Sequence, residues 1–422
     1  LSTLRRSRRK PKGGLRMRII FVGSCTWTNT GYGKPMRYLL PRLQLAGYEL
    51  ALCPFYGYDG PPTMATAEGQ PIRILPRAKD VFFNDMIEFH VTNWQADAVI
   101  SLCDVWVLNK WGTRGFPWLP RFPIDTHPIS KGTLEAIEGC HTPLALTKFG
   151  QQELFDNGWP TARYIPHGVD LDIYRPMDRA EARERAGLPP DAFVAGMIAS
   201  NASEPSRKSF PEVLQAWRGW LDRGGEGYLY LHTTISPKTR NGVGVDLIRL
   251  LDTLELTGCT LDAANREHMR KADVLFPSQY GLWTDQFTDE KLADLYGSFD
   301  VLLSPSRAEG FGIPIIEAQA CGVPVITNAV TSMPELTFAG KALPPAQMAW
   351  STRKEGIADA GWRGVADVDA LTDAIHWAYA LGEGKREELA AKARAGASQF
   401  GWDHLVKAKW LPLLRELEAW LG

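Results

Sequence analysis

Apolar residues along this chain fall into short runs closed by glycine or a small polar residue. These alternate with stretches whose apolar positions recur every three to four residues, the pattern of strands alternating with helices. The run over 17–23 ends at Gly23 and leads through Gly31-Tyr32-Gly33 into a helical pattern over 35–46, closed by Gly47. Further runs over 48–53, 98–103, 143–146 and 164–165 predict strands, and 131–138 and 149–157 predict helices. A polar stretch over 174–190, with Pro176, Pro189 and Pro190, reads as an interdomain connection. A second series follows, with strands expected over 192–200, 228–233, 273–276, 300–304 and 324–327 and helices over 209–221, 245–251, 289–296 and 314–320. Ser209-Phe-Pro-Glu212 has the spacing of a capping box. The end, 371–422, is helical in period, with Trp402, Leu405, Trp410 and Leu413 forming an apolar stripe. The alternation predicts an α/β chain of two doubly wound halves.

Composition narrows the class. The 422 residues are 45% hydrophobic and 23% charged, which excludes a disordered or collagenous chain and suits two domains. No apolar run has the length of a membrane-spanning helix, and a cytoplasmic location, or one peripheral to a membrane, is expected. Six scattered cysteines without a CxxC pair argue against a zinc site or a disulfide framework. The net charge of −1 conceals an asymmetry, because residues 1–16 carry seven basic side chains and no acid. That segment is expected to be a disordered leader, with contact to an anionic surface or nucleic acid as its functional alternative.

The chemistry concentrates in Ser304-Pro-Ser-Arg-Ala-Glu309-Gly-Phe-Gly-Ile-Pro-Ile-Ile-Glu317 and the Gly322-Val-Pro-Val that follows. A strand ends at Ser304, a glycine-bearing loop holds Glu309, and Pro314 opens a helix whose first turn is expected to contain Glu317. Backbone N–H groups at such a helix start suit a phosphate or a sugar hydroxyl. Two carboxylates there suit hydroxyls as hydrogen-bond donors better than they suit a diphosphate.

The glutamate pair, with seven residues between its members and set between Pro-Ser and Gly-Val-Pro-Val, resembles the signature of family-4 glycosyltransferases with the GT-B fold. The likeness runs from Thr30-Gly-Tyr-Gly33 through Ile165-Pro-His-Gly-Val-Asp170 and Arg207-Lys208 to Glu335. It implies two Rossmann-like domains facing across a cleft: an acceptor domain over 17–172, a nucleotide-sugar domain over 173–400, and a helix over 401–422 returning towards the first. It implies a retaining transferase that moves a hexose from a nucleotide-diphosphate sugar, UDP-glucose first and GDP-mannose second, with no metal or other cofactor. By resemblance, Glu317 would bind the ribose and could be replaced without harm to the fold. Glu309, Gly310, Phe311 and Gly312 would lie against the donor sugar and phosphates, Arg207 and Lys208 on the diphosphate, and Gly31 and Gly33 near the donor phosphate. The charge gained by a departing nucleoside diphosphate independently calls for such fixed cations.

Asp125 and His127 follow an apolar run, and Asp104 follows the strand over 98–103, positions where α/β sheets place ligand-binding groups. His127 resembles the family histidine near the donor sugar, and Asp125 is the candidate to position an acceptor hydroxyl. His167 is expected to be structural. The acceptor stays open among a glycan, lipid, small molecule, protein or modified nucleic acid. Asp170-Leu-Asp172 and Asp367-Val-Asp369 have metal-chelating spacing but fall in a hinge and before a helix, and are read as no metal site. The alternatives are a nucleotide-sugar epimerase or phosphorylase on the same fold, or a non-catalytic sugar-nucleotide binding protein. A nicotinamide dehydrogenase lacks its G-x-G-x-x-G here.

Overall fold

The computed structural model describes residues 17–55, 60–236, 238–239, 242–262, 271–351 and 360–422. The basic segment 1–16 lies outside the described residues. The chain divides into two units: one takes in the described residues of Leu1–Gly168, Thr352–Gly361 and Trp402–Gly422, the other those of Val169–Ser351 and Trp362–Gly401.

The first unit is built on β1 (Arg18–Gly23), β2 (Glu49–Pro54), β3 (Thr63–Ala67), β4 (Gln70–Ile74), β5 (Ala98–Leu102), β6 (Trp118–Phe122), β7 (Leu144–Ala145) and β8 (Arg163–Tyr164). They form one sheet in the order β3-β4-β2-β1-β5-β6-β7-β8, parallel except for β3. The central strands are buried throughout, so they read as unbroken apolar runs, as expected for a parallel sheet covered on both faces. Three strands escape that pattern. In β6, Pro120 and Arg121 interrupt the run, yet Arg121 is buried because its Nε donates to Ile165 O at 3.0 Å and its Nη2 pairs with His167 Nδ1 at 3.1 Å. The β3–β4 hairpin, largely exposed and turned at Glu68-Gly69 with both φ positive, carries no apolar run at all. The C-terminal stripe closes this unit: Trp402, Leu405, Trp410 and Leu413 are all buried, with Trp410 6.3 Å from Phe21 and beneath the Arg121 guanidinium at 5.5 Å.

The second unit contains β9 (Val194–Ile198), β10 (Tyr228–His232), a two-strand ribbon β11 (Lys238–Thr239) and β12 (Gly242–Val243), then β13 (Gly258–Thr260), β14 (Val274–Phe276), β15 (Val301–Ser304), β16 (Val325–Asn328) and β17 (Gly340–Leu343). Its main sheet runs β13-β14-β10-β9-β15-β16-β17, entirely parallel. The stretch over 174–190, expected as a connection, instead supplies the helix Arg179–Ala186, capped by Asp178, whose Oδ1 accepts from Glu181 N. Arg183, with Arg179 and Arg386, surrounds the buried Asp300 carboxylate at 2.7–2.8 Å, so this polar sequence belongs to the body of the unit.

In each sheet the chain order reverses beside its first strand, between β1 and β5 and between β9 and β15. Loops leaving the carboxyl ends of those strands diverge there and leave a crevice, the usual place for a ligand in such folds.

Candidate functional site

In the second unit the reversal brings together the loop after β9, which carries Arg207 and Lys208, and the loop after β15, which carries Glu309. Lys208 Nζ donates to Glu309 Oε1, and Arg207 Nη1 lies 3.4 Å from Glu309 Oε2 and donates to Ala308 O at 2.7 Å. Arg307 N, donating to Arg207 O at 2.8 Å, joins the two loops along their backbones. Burial works against ionisation of Glu309, but Lys208 and then Arg207 outweigh it and hold the carboxyl down to about 2. The result is a compact cluster of two cations and one anion, positive in sum, at the end of a parallel sheet.

The helix Ile313–Ala320 starts at Gly312, whose φ of +97° is one that side chains rarely adopt. The loop before it is clamped by two hydroxyls that the sequence reading did not single out. Ser332 Oγ donates to Glu309 O at 2.8 Å and to Phe311 O at 3.0 Å, while Thr331 Oγ1 accepts from Glu309 N at 3.1 Å and donates to Glu309 O. Their only sequence signal is a pair of small hydroxyl residues a few positions after β16.

Glu317 differs from expectation in two ways. It lies in the second turn of its helix and is only 4% exposed, with Oε2 accepting from Tyr296 Oη at 2.8 Å. Removing its side chain would leave the buried Tyr296 hydroxyl without that acceptor, so Glu317→Ala is expected to destabilise the fold by about 1–3 kcal/mol. The Ser209 capping box does not form either. Ser209 adopts φ +61° and caps nothing; Ser206 Oγ accepts from Phe210 N instead, and Glu212 turns to Arg307 at 2.9 Å. The left-handed backbone at Ser209 and the pairing of the buried Glu212 with Arg307 take both side chains out of the capping arrangement.

In the first unit, the loop after β1 carries Gly31, Gly33 opens the helix Gly33–Leu45 that follows, Asp104 follows β5, and Asp125 and His127 follow β6. Gly33 is required by crowding within its own loop: a Cβ there would fall 2.1 Å from Thr28 Oγ1 and 2.4 Å from Thr28 O. Gly31 is exposed. Arg37 ties the loop down, donating to Thr26 O, Thr28 O and Asn29 Oδ1. Tyr32 Oη donates to Asp104 Oδ1 at 3.2 Å; burial and then the Asp104 charge push its phenol well up, with Asp125 acting in the same direction. Tyr32 and Asp104 thus meet at the carboxyl end of the sheet, the end from which Asp125 also follows β6. His127 is exposed, and its Nδ1 lies 2.6 Å from Glu153 Oε1, a residue the sequence reading missed.

Other sequence candidates have structural work. His167 is buried against Arg121. Asp170 accepts from Asp172 N and Ile173 N, and Asp367 caps the helix Val368–Tyr379 through Ala370 N. All six cysteines are free thiols, five of them buried. Among the described residues no helix is long and apolar enough to cross a membrane.

Residues 249–379 match the family model described as glycosyl transferases group 1. A D-inositol 3-phosphate glycosyltransferase of Actinosynnema mirum is 32% identical over 249 residues, 58% of this chain and 49% of that protein. Another, from Catenulispora acidiphila, is 33% identical over 158 residues, 36% of this chain and 32% of that protein. The chain thus spans half or less of the length of these curated relatives. Among solved structures, sucrose-phosphate synthase from Thermosynechococcus elongatus matches with TM-score 0.66 at 18% identity, over 96% of this chain and 100% of that one. HepE of Anabaena, in complex with UDP-glucose, matches with TM-score 0.64 at 15% identity, over 94% and 99%. The fold is GT-B, two Rossmann-like α/β units.

Proposed function

We propose, from the premise that this chain carries a glycosyl transferases group 1 segment over 249–379, that it is a retaining glycosyltransferase moving a hexose from a nucleotide-diphosphate sugar to an acceptor hydroxyl. The observation that carries this reading is the cluster of Arg207, Lys208 and Glu309 where the second sheet reverses. A leaving nucleoside diphosphate gains negative charge as the glycosidic bond breaks, and fixed cations favour that state over the intact donor. Arg207 and Lys208 supply this charge without a metal. Glu309 holds both cations in place and turns its ionised carboxylate towards donor hydroxyls, beside the amides of Gly310, Phe311 and Gly312 at the helix start. Glu317 accepts from the ribose in addition to Tyr296. Within the first unit taken by itself, the backbone at Gly31 and Gly33 suits a phosphate and His127 suits a sugar hydroxyl. The leaving phosphate takes the acceptor proton on the face it vacates, so configuration is retained and no protein nucleophile is needed.

UDP-glucose is the first donor to test and GDP-mannose the second; HepE of Anabaena, of similar fold, is in complex with UDP-glucose, which supports that order. The acceptor side carries Asp104 and Asp125 around Tyr32. Carboxylates there accept from hydroxyls and repel a phosphomonoester, so a neutral polyol is favoured over the inositol phosphate in the names of the relatives. The free thiols suit a reducing, cytoplasmic setting. The reading is checked by incubating the chain with UDP-glucose or GDP-mannose and a panel including myo-inositol, inositol 3-phosphate and simple glucosides, with mass spectrometry and proton NMR of the product. The expected outcome is acceptor-dependent release of nucleoside diphosphate and an α-linked product. A β-linked product, or release indifferent to acceptor, would contradict it.

A further inference from the structure

Both oxygens of the Glu153 carboxylate are engaged. Oε1 lies 2.6 Å from His127 Nδ1, and Oε2 accepts from Ile129 N at 2.7 Å. Glu153 sits in the helix Lys148–Asp156, whose position is fixed by Thr147 Oγ1 accepting from Gly150 N at 2.9 Å. Its side chain is 8% exposed, whereas that of His127 is 71% exposed, so a buried acceptor grips one edge of a ring whose remainder faces outward. A neutral imidazole carries one N–H, and an ionised carboxylate can only accept. Contact with Glu153 therefore requires the hydrogen on Nδ1 and leaves the lone pair on Nε2. Without such a partner an exposed histidine would populate both tautomers and several rotamers.

We propose that Glu153 is a positioning residue that fixes His127 as its Nδ1–H tautomer, so that His127 Nε2 is presented as the acceptor for a sugar hydroxyl. The second half rests on the glycosyltransferase reading; the tautomer stands on the geometry of the first unit alone. The chemistry of position 153 gives an unusually clean variant. Glu153→Gln keeps the shape, but the Ile129 N–H is a backbone donor that still requires an oxygen. The glutamine must turn its carbonyl to Ile129 and its NH2 to His127 Nδ1, which moves the ring hydrogen to Nε2 and converts an acceptor into a donor.

The test is long-range nitrogen–proton NMR on the full chain with labelled histidine, His127 being assigned by His127→Gln, together with steady-state turnover of UDP-glucose. The expected result is Nδ1–H in the wild type and Nε2–H in Glu153→Gln. With it should come a fall in kcat on the order of 10²-fold, KM for the donor within about twofold, and no further loss when Glu153→Gln is added to His127→Gln. An Nε2–H tautomer in the wild type, or a tautomer indifferent to Glu153→Gln, overturns the proposal. So does a reversed tautomer with unchanged kcat. If wild-type protein turned over no nucleotide-sugar at all, the function reading would fail, and the tautomer measurement would still decide the role of Glu153.

Discussion

At the scale of single residues, Lys208 and Arg207 both meet the Glu309 carboxylate. A buried carboxylate held down to about 2 by its two cations is ionised throughout the physiological range. Lys208→Ala removes the cation paired most directly with Glu309. Because the charge on the departing diphosphate is greatest after bond cleavage, kcat is expected to fall by roughly 10²–10³-fold, while affinity for the intact nucleotide-sugar changes little and affinity for the free nucleoside diphosphate drops. Single-turnover kinetics beside calorimetric titration of both ligands separates these effects; equal losses for both ligands with unchanged kcat would show that Lys208 is not directed at developing charge. That Arg207, Lys208 and Glu309 are of interest was anticipated through the family resemblance of their motifs, whereas the burial of Glu317 against Tyr296 was not. The clamp by Thr331 and Ser332 and the Glu153 carboxylate under His127 were not, since serine, threonine and helical glutamate are common and only the fold reveals what they touch.

At the scale of elements, the central parallel strands and their helices were readable because full burial writes an unbroken apolar run. The β3–β4 hairpin was invisible because its side chains are mostly exposed, and β6 was obscured by Arg121, a cation inside the first unit. Burial pulls that guanidinium down to about 9, still charged at neutral pH, and burial followed by Arg121 holds His167 well below the ordinary histidine range. His167 thus stays neutral in the folded chain while the unfolded chain takes up a proton near pH 6.5. The unfolded state then binds more protons, so stability present above pH 6.5 is lost as pH falls towards the folded value, by up to about 1.4 kcal/mol per pH unit from this one group. Thermal midpoints between pH 7.5 and 5.5 should fall less steeply for His167→Asn than for the wild type; equal slopes would show that His167 titrates normally.

At the scale of the whole molecule, two doubly wound sheets each reverse beside their first strand; Arg207, Lys208 and Glu309 lie at one reversal, Gly31 and Asp104 at the other, and Asp125 and His127 follow the next strand, β6. The two units differ in charge: the second presents two cations held by a buried carboxylate, and the first presents carboxylates, a phenol and a histidine in contact with Glu153; the proposed function assigns a diphosphate to the former and hydroxyls to the latter. The most direct measurement is thermal unfolding of the wild type and Lys208→Ala with UDP, GDP and ADP, each alone and as its sugar conjugate. A ligand at 100 times its dissociation constant stabilises by about 2.7 kcal/mol, a rise of several degrees. The account predicts such a rise with one nucleoside diphosphate and its sugar, with the rise for the free diphosphate much reduced in Lys208→Ala. No shift with any of them, or an undiminished shift in Lys208→Ala, would contradict it.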